Sequence, residues 1–170
     1  MKRFMWLATL SFVLLMPFGM DVQAQSKEVS ETVTSTAYIT FNVLPLDEGR
    51  VRMNYEAVII VLSDTGSGLF HQATSRSIGG FTVEKGGKFT DEQSWGVYNL
   101  QNGDKVYYTL AGAGKLEEGA EAKVTQTFTG GTGKCAGIKG SYTFTRYSLR
   151  PAVEGKGQAY SKGTIKYTLP

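Results

Sequence analysis

Residues 95–110, WGVYNLQNGDKVYYTL, contain the clearest structural signal in the sequence: two alternating segments on either side of Asn102-Gly103. This dipeptide accepts the positive φ angles of a two-residue type I′ turn, so it predicts a β-hairpin. If Gln101 faces Asp104, one face of the hairpin is more continuously apolar than the other, and we expect that face to point inward. The residues on this face are Trp95, Val97, Val106, Tyr108 and Leu110.

Alternation of threonine with apolar or aromatic residues continues along most of the chain and predicts an all-β protein. Turn-forming residues such as Pro45, Gly49, Gly79 and Gly80 separate the segments. The predicted strands outside the hairpin are 32–43, 50–62, 69–76, 81–85, 122–129, 140–147 and 157–169. With the two hairpin strands these make nine short segments, or about eight strands, and that number favours a single closed antiparallel barrel, which has no unpaired edges. A β-sandwich is the alternative, although the cysteine pair flanking a tryptophan that marks many immunoglobulin-like sandwiches is missing.

The N-terminus has the pattern of a secretory signal peptide. Lys2 and Arg3 precede an apolar run, and Val22 and Ala24 are the small residues that signal peptidase accepts, so we expect cleavage after Ala24. The apolar run is about a dozen residues long, whereas a membrane-spanning helix needs about 20, and no later segment is apolar enough to span. We therefore expect a signal peptide over 1–24 and one β-barrel domain over 25–170, located in the periplasm or secreted.

Cysteine content and charge exclude several classes of protein. Cys135 is the only cysteine, so no internal disulfide can form, and we interpret it as an unpaired structural thiol. The 18 basic and 15 acidic side chains fall to 16 and 14 once Lys2, Arg3 and Asp21 are removed with the signal peptide. The basic residues are scattered singly and form no stripe, so a nucleic-acid partner is not expected.

The glycine-rich segment 130–134, GGTGK, invites a phosphate-loop interpretation. That pattern needs a glycine where Phe128 stands and a serine or threonine where Cys135 stands. Residues 131–136 fit a loose dinucleotide fingerprint, but they precede a strand-like segment and belong to no βαβ unit. We interpret the segment as a tight turn between strands and expect no cofactor. His71 is the only histidine, which excludes a histidine-rich zinc site, so no metal is expected either.

The same region resembles a known family. Residues 128–144, FTGGTGKCAGIKGSYTF, are similar to the "GGTGKFAGxxGxGTF" segment of the allene oxide cyclase and dirigent-like barrels, including exported bacterial members, with Cys135 in place of the usual phenylalanine. Gly96-Val-Tyr98 and residues 102–105 resemble the hairpin that precedes this segment. The resemblance covers about residues 95–145 and implies an eight-stranded, calycin-like antiparallel barrel with an apolar cavity. No catalytic residue is carried over, because the family's functional polar residues do not match positions here.

Three functions are compatible with these observations. The first is binding of a small apolar molecule, lipid-like or isoprenoid-like, without chemistry. The second is a cyclase or isomerase whose cavity confines a reactive intermediate, as the plant cyclases do with a fatty-acid epoxide and dirigent proteins with phenoxy radicals. The third is a structural or interaction module with a filled core. The oligomeric state is left open.

Candidate site residues follow from the hairpin face and from the single histidine. We predict that the ligand contacts Trp95, Val97, Tyr108, Leu110 and His71. His71 shares a face with Leu69 and Ala73 if this segment is a strand, which makes it either an inward polar group or a packed residue. Acid–base chemistry would depend on His71 or on Glu56, Asp91 and Glu92, and we interpret the last two as solvated loop charges.

Overall fold

The computed structural model describes residues 27–47 and 49–170, so the predicted signal peptide lies outside the described residues. Eight antiparallel strands follow one another around a closed barrel, in which β1 pairs with both β2 and β8. This confirms the predicted barrel, and closure rules out the sandwich. The strands are β1 (Val29–Pro45), β2 (Val51–Ser63), β3 (Ala73–Val83), β4 (Lys88–Asn99), β5 (Lys105–Lys115), β6 (Glu121–Gly131), β7 (Lys139–Leu149) and β8 (Lys156–Thr168).

The two ends of the barrel differ in the loops that cover them. The β1–β2, β3–β4, β5–β6 and β7–β8 loops lie at one end, here called the open end. The β2–β3, β4–β5 and β6–β7 loops lie at the other, here called the closed end. Side chains alternate between the interior and the outer surface along each strand, so the hydrophobic core lies inside the barrel.

Phe70 closes the barrel at the closed end. It belongs to the β2–β3 loop, is fully buried, and inserts among Tyr98, Phe128 and Tyr167 with ring-centroid distances of 5.3, 5.3 and 5.6 Å. Edge-to-face and stacked aromatic contacts of this kind stabilise a core beyond the area that they bury. The loop therefore forms an aromatic plug.

Glu31 fixes the position of this plug. Its buried carboxylate accepts hydrogen bonds from the backbone N–H of Leu69 at 2.9 Å and of Phe70 at 3.4 Å, and from the hydroxyl of Tyr167 at 2.8 Å. Burial and the adjacent carboxylate raise the pKa of Tyr167, so this hydroxyl remains a donor. The β2–β3 loop is thus tied to β1 and β8.

The β6–β7 connection confirms the interpretation of the glycine-rich segment as a tight turn. A short 3₁₀ helix spans Gly133–Cys135, and Gly133 has a φ of +54°, which a residue with a side chain rarely adopts. Cys135 is a free thiol that is buried at the closed end. Burial, assisted by the charge of Asp104, raises the pKa of the Cys135 thiol, as expected for a structural residue.

The β4–β5 hairpin exists, but its predicted register is wrong by one residue. Leu100 pairs with Asp104 through an N–H to carbonyl hydrogen bond of 2.9 Å, which leaves a three-residue loop instead of two. Within this loop Gly103 has a φ of +85°, whereas Asn102 does not adopt a positive φ, so the type I′ turn is absent. Three-residue loops that end on a left-handed glycine are the next most common hairpin connection.

This one-residue shift turns half of the predicted inward face outward. Trp95 is 62% exposed on the outer surface, and Val97 lies opposite Tyr107 on the same surface, so the predicted inward orientation of both is wrong. Tyr108 and Leu110 are buried inside the barrel, as predicted.

The region from residue 69 to residue 85 also differs from the prediction. Gly79-Gly80 is not a turn, because both glycines lie within β3, where they pair with Ser94 and Gln93 of β4. A Cβ atom on Gly79 would overlap the side chain of Ser94, so the glycine allows close approach of two strands. The two predicted strands 69–76 and 81–85 are therefore replaced by one strand and the preceding loop.

Candidate functional site

A cavity of about 310 Å³ lies inside the barrel and reaches its open end. Its walls are mostly apolar and include Ala37, Ile39, Phe41, Ala57, Ile59, Phe81, Phe89, Leu110 and Phe144. Its mouth is formed by the last residue of β7, Leu149, and by residues of the β5–β6 and β7–β8 loops, Leu116, Glu117, Glu118, Arg150 and Pro151. The cavity is thus accessible from one end and blocked at the other by the Phe70 plug.

One wall of the cavity carries a buried ion pair. The Arg146 guanidinium donates two parallel hydrogen bonds to the Glu92 carboxylate, Nη1 to Oε1 and Nη2 to Oε2, both of 2.8 Å. The hydroxyl of Tyr55 donates a third hydrogen bond to Oε1 of Glu92 at 2.9 Å. The side chain of Glu92 is completely buried and that of Arg146 is 16% exposed. Bidentate pairs of this geometry are among the stronger hydrogen-bonded interactions in proteins.

The surroundings of Arg146 and Tyr55 favour the protonated form of each side chain. Burial alone lowers the pKa of Arg146, but the charge of Glu92 and its hydrogen bonds more than offset this effect, and the pKa is raised. Burial, followed by the negative charge of Glu92, raises the pKa of Tyr55 well above its usual value. At neutral pH the arginine is therefore charged and the tyrosine is a hydrogen-bond donor.

A β-bulge in β4 points Glu92 into the barrel. Phe89 pairs with Gly114 and Glu92 with Gly112, so β4 has one more residue than β5 between these two pairs. Asp91 is turned outward by the bulge and forms a surface ion pair with Arg52 at 3.0 Å. The interpretation of Glu92 as a solvated loop charge is wrong, because it lies on a strand and its side chain is buried.

Gly112 leaves the space that the Glu92 carboxylate occupies. A Cβ atom at this position would lie 2.5 Å from Oε2 of Glu92. Arg146 was missed by the sequence analysis although a signal was present. It alternates with Tyr142 and Phe144 along β7, which places a charged residue on an apolar inward face.

Of the five predicted ligand-binding residues, only Leu110 lines the cavity. Tyr108 is buried beside it, but its hydroxyl forms a hydrogen bond with that of Ser75 at 2.8 Å and does not reach the cavity. Trp95 and Val97 face outward, as described above. His71 belongs to the closed-end loop and not to a strand, and its Nδ1 is buried without a hydrogen-bond partner among the described residues.

Glu56 also lies outside the site. It faces solvent from the middle of β2 and forms an ion pair with Arg76, Oε1 to Nε, at 2.7 Å. Among residues 27–47 and 49–170, no group of three or more His, Cys, Asp or Glu side chains is arranged to hold a metal ion. No helix in this part of the chain has the length and apolar character needed to cross a membrane.

Comparisons with known proteins add no family assignment. No protein-family model matches the sequence, and no curated protein is significantly similar to it.

Proposed function

We propose that this protein binds a small apolar molecule in the barrel cavity. The observation that carries the proposal is the cavity of about 310 Å³ with mostly apolar walls and one accessible end. Small-molecule sites typically begin at about 300 Å³ and combine apolar walls with a few polar groups. A lipid-like or isoprenoid-like ligand accounts for an open cavity with mostly apolar walls better than a structural module with a filled core does.

A cyclase or isomerase is the second candidate, and the Glu92–Arg146–Tyr55 cluster is the observation that favours it. A carboxylate inside an apolar cavity is a common acid–base group. Here, however, Glu92 already accepts three hydrogen bonds, two of them from Arg146. Proton transfer to this carboxylate would disrupt a buried ion pair, so any acceleration would come from confining the substrate. We therefore favour binding without chemistry.

We also propose a superfamily relationship and a cellular location for this protein. The similarity of residues 128–144 to allene oxide cyclase and dirigent-like barrels supports a relationship to the exported bacterial members of that superfamily. The signal-peptide pattern of residues 1–24 supports a periplasmic or secreted location.

Binding of N-phenyl-1-naphthylamine, a small neutral apolar dye, tests the proposal. Ala37 lines the cavity, and Ala37→Leu should fill part of it and weaken dye binding by about tenfold or more. The matched control is Ala111→Leu, which adds the same side chain to the outer face of β5 and should leave dye affinity unchanged. Dye binding to the original protein and native mass spectrometry of protein purified from its own host provide the baseline.

Two results would contradict ligand binding in the cavity. If the original protein binds no dye and repeatedly carries no small molecule, the cavity is not a binding site. Equal loss of affinity in Ala37→Leu and Ala111→Leu would place the dye outside the barrel.

A further inference from the structure

The hydroxyl of Tyr142 is a buried polar group that the proposed function does not yet use. Tyr142 lies in β7 opposite Gln126 and Ile165, is 1% exposed and lines the cavity. Its ring stacks on Phe144 with a centroid distance of 4.4 Å. Among the described residues its hydroxyl has no hydrogen-bond partner. Nearly all buried polar atoms in proteins have a partner, so this exception needs an explanation.

The other buried tyrosines show that this barrel normally pairs its phenolic hydroxyls. Tyr55 donates to Glu92 and Tyr98 to Gln126, while Tyr108 is paired with Ser75 and Tyr167 with Glu31. Each of these four partners is an inward side chain on another strand. Tyr55 and Tyr98 also line the cavity, so the missing partner is what distinguishes Tyr142 from them.

The depth of Tyr142 in the cavity and the positions of the nearby charged side chains limit which ligand groups can bind its hydroxyl. Tyr142 is four residues from Arg146 along β7 toward the closed end, about 13 Å at the usual rise of a strand. The cationic side chains that line the cavity, Arg146, Arg150 and Lys156, all lie nearer the open end. Burial raises the pKa of Tyr142 to about 12; the nearby Ser35 hydroxyl opposes this rise without reaching hydrogen-bond geometry, and the charge of Asp64 assists it. The hydroxyl is therefore protonated at neutral pH and is free to donate to a ligand acceptor.

We infer that the ligand carries a neutral oxygen acceptor, a carbonyl in the simplest case, at the end that enters the barrel first, where the Tyr142 hydroxyl binds it. This inference rests on the proposed function and narrows the ligand class to apolar molecules with a ketone, aldehyde or similar oxygen. A carboxylate at this depth would meet only neutral donors such as Tyr142 and no cation among the described residues, and burial of an unpaired charge is costly. A pure hydrocarbon would leave the hydroxyl unsatisfied.

Displacement of the dye by 2-nonanone and by nonane tests this inference, because the two molecules differ mainly in one carbonyl. Tyr142→Phe removes the hydroxyl and keeps the ring. We expect it to weaken 2-nonanone binding about five- to tenfold and to leave nonane binding unchanged. The infrared carbonyl stretch of bound 2-nonanone should be lowered by the hydrogen bond in the original protein and return to its value in apolar solvent in Tyr142→Phe.

Stability without ligand separates a binding role from a structural one. Because the hydroxyl has no protein partner, Tyr142→Phe should unfold at the same temperature as the original protein or higher. The matched control is Tyr108→Phe, which breaks the hydrogen bond to Ser75 away from the cavity. It should lower the melting temperature and leave the preference for 2-nonanone over nonane unchanged.

The outcomes distinguish this inference from the function on which it rests. If neither compound nor the dye binds the original protein, both proposals are wrong. If both compounds bind and Tyr142→Phe changes neither affinity nor the carbonyl stretch, the cavity binds apolar molecules but the assignment of Tyr142 is overturned. A drop in melting temperature of Tyr142→Phe equal to that of Tyr108→Phe would also overturn it.

Discussion

Among residues 27–47 and 49–170, each end of the barrel has one buried glutamate that accepts a hydrogen bond from a tyrosine hydroxyl, but the two glutamates have different remaining partners. At the closed end, Glu31 binds Tyr167 and two backbone N–H groups of the loop that carries the plug. Toward the open end, Glu92 binds Tyr55 and the guanidinium of Arg146. Both glutamates are well satisfied, so burial of a carboxylate does not by itself distinguish structure from function.

The hydrogen-bond partners of the two glutamates distinguish a structural role for Glu31 from a possible role of Glu92 in ligand binding. Backbone amides are held by the chain itself, so the contacts of Glu31 order a loop and seal the barrel. The Arg146 guanidinium has five N–H donors, of which Glu92 takes two, and it lines the cavity. The closed end is therefore a structural cap, while the open end presents polar groups to whatever enters.

Removal of the plug should have the largest effect on stability. Phe70→Ala deletes a fully buried ring and leaves a void among three aromatic side chains, so we expect a loss of about 3–5 kcal/mol in the free energy of unfolding, measured with urea. The control is Val153→Ala in the β7–β8 loop at the open end, where the side chain is 60% exposed and the change should be within about 0.5 kcal/mol. A cost below about 1 kcal/mol for Phe70→Ala would contradict the cap.

Breaking the ion pair between Glu92 and Arg146 should have the second largest effect on the free energy of unfolding. Arg146→Met leaves Glu92 buried without its cation, and because the arginine is 16% exposed we expect about 3 kcal/mol, at the low end for buried pairs. The double variant Arg146→Met/Glu92→Leu should recover most of this loss, since it leaves neither charge unpaired. Additive losses in urea unfolding would show that the two residues do not act as a pair.

Substitution of Glu31 at the closed end should not be compensated by a second substitution in the way expected for Glu92 and Arg146. Glu31→Leu should leave two backbone N–H groups without acceptors, at about 1–3 kcal/mol each, and no second substitution other than proline can remove such a group. We therefore expect a second substitution to recover lost stability at the open end and not at the closed end.

A substitution on the outer surface of the barrel should have the smallest effect on the free energy of unfolding. Trp95 is 62% exposed, so Trp95→Ser should change the free energy of unfolding by no more than about 0.5 kcal/mol. Trp95 is the only tryptophan after residue 24, and its emission should be quenched by acrylamide equally with and without dye in the cavity. Protection of this emission by a cavity ligand would favour the inward register that the sequence predicted.

Several features could be predicted because they depend on local chemistry. Alternating side chains identify strands, and the glycine-rich segment at 130–134 identifies a turn through the backbone angle that Gly133 adopts. Other features depend on long-range partners. The bulge that turns Glu92 inward and the glycines that bring β3 against β4 follow from pairing with distant strands, so no local pattern reveals them.

The sequence by itself determined that this chain is all-β with a turn near Asn102-Gly103, because strand periodicity and turn preferences are properties of neighbouring residues. It favoured a closed barrel over a sandwich, and the structure shows the closure. Only the tertiary structure decided which side chains meet inside. A shift of one residue in a hairpin reverses the faces of one strand relative to its partner, which placed Trp95 outside while Tyr108 stayed inside. The site at Glu92, Arg146 and Tyr55 comes from three different strands, and only closure of the barrel brings their side chains into contact.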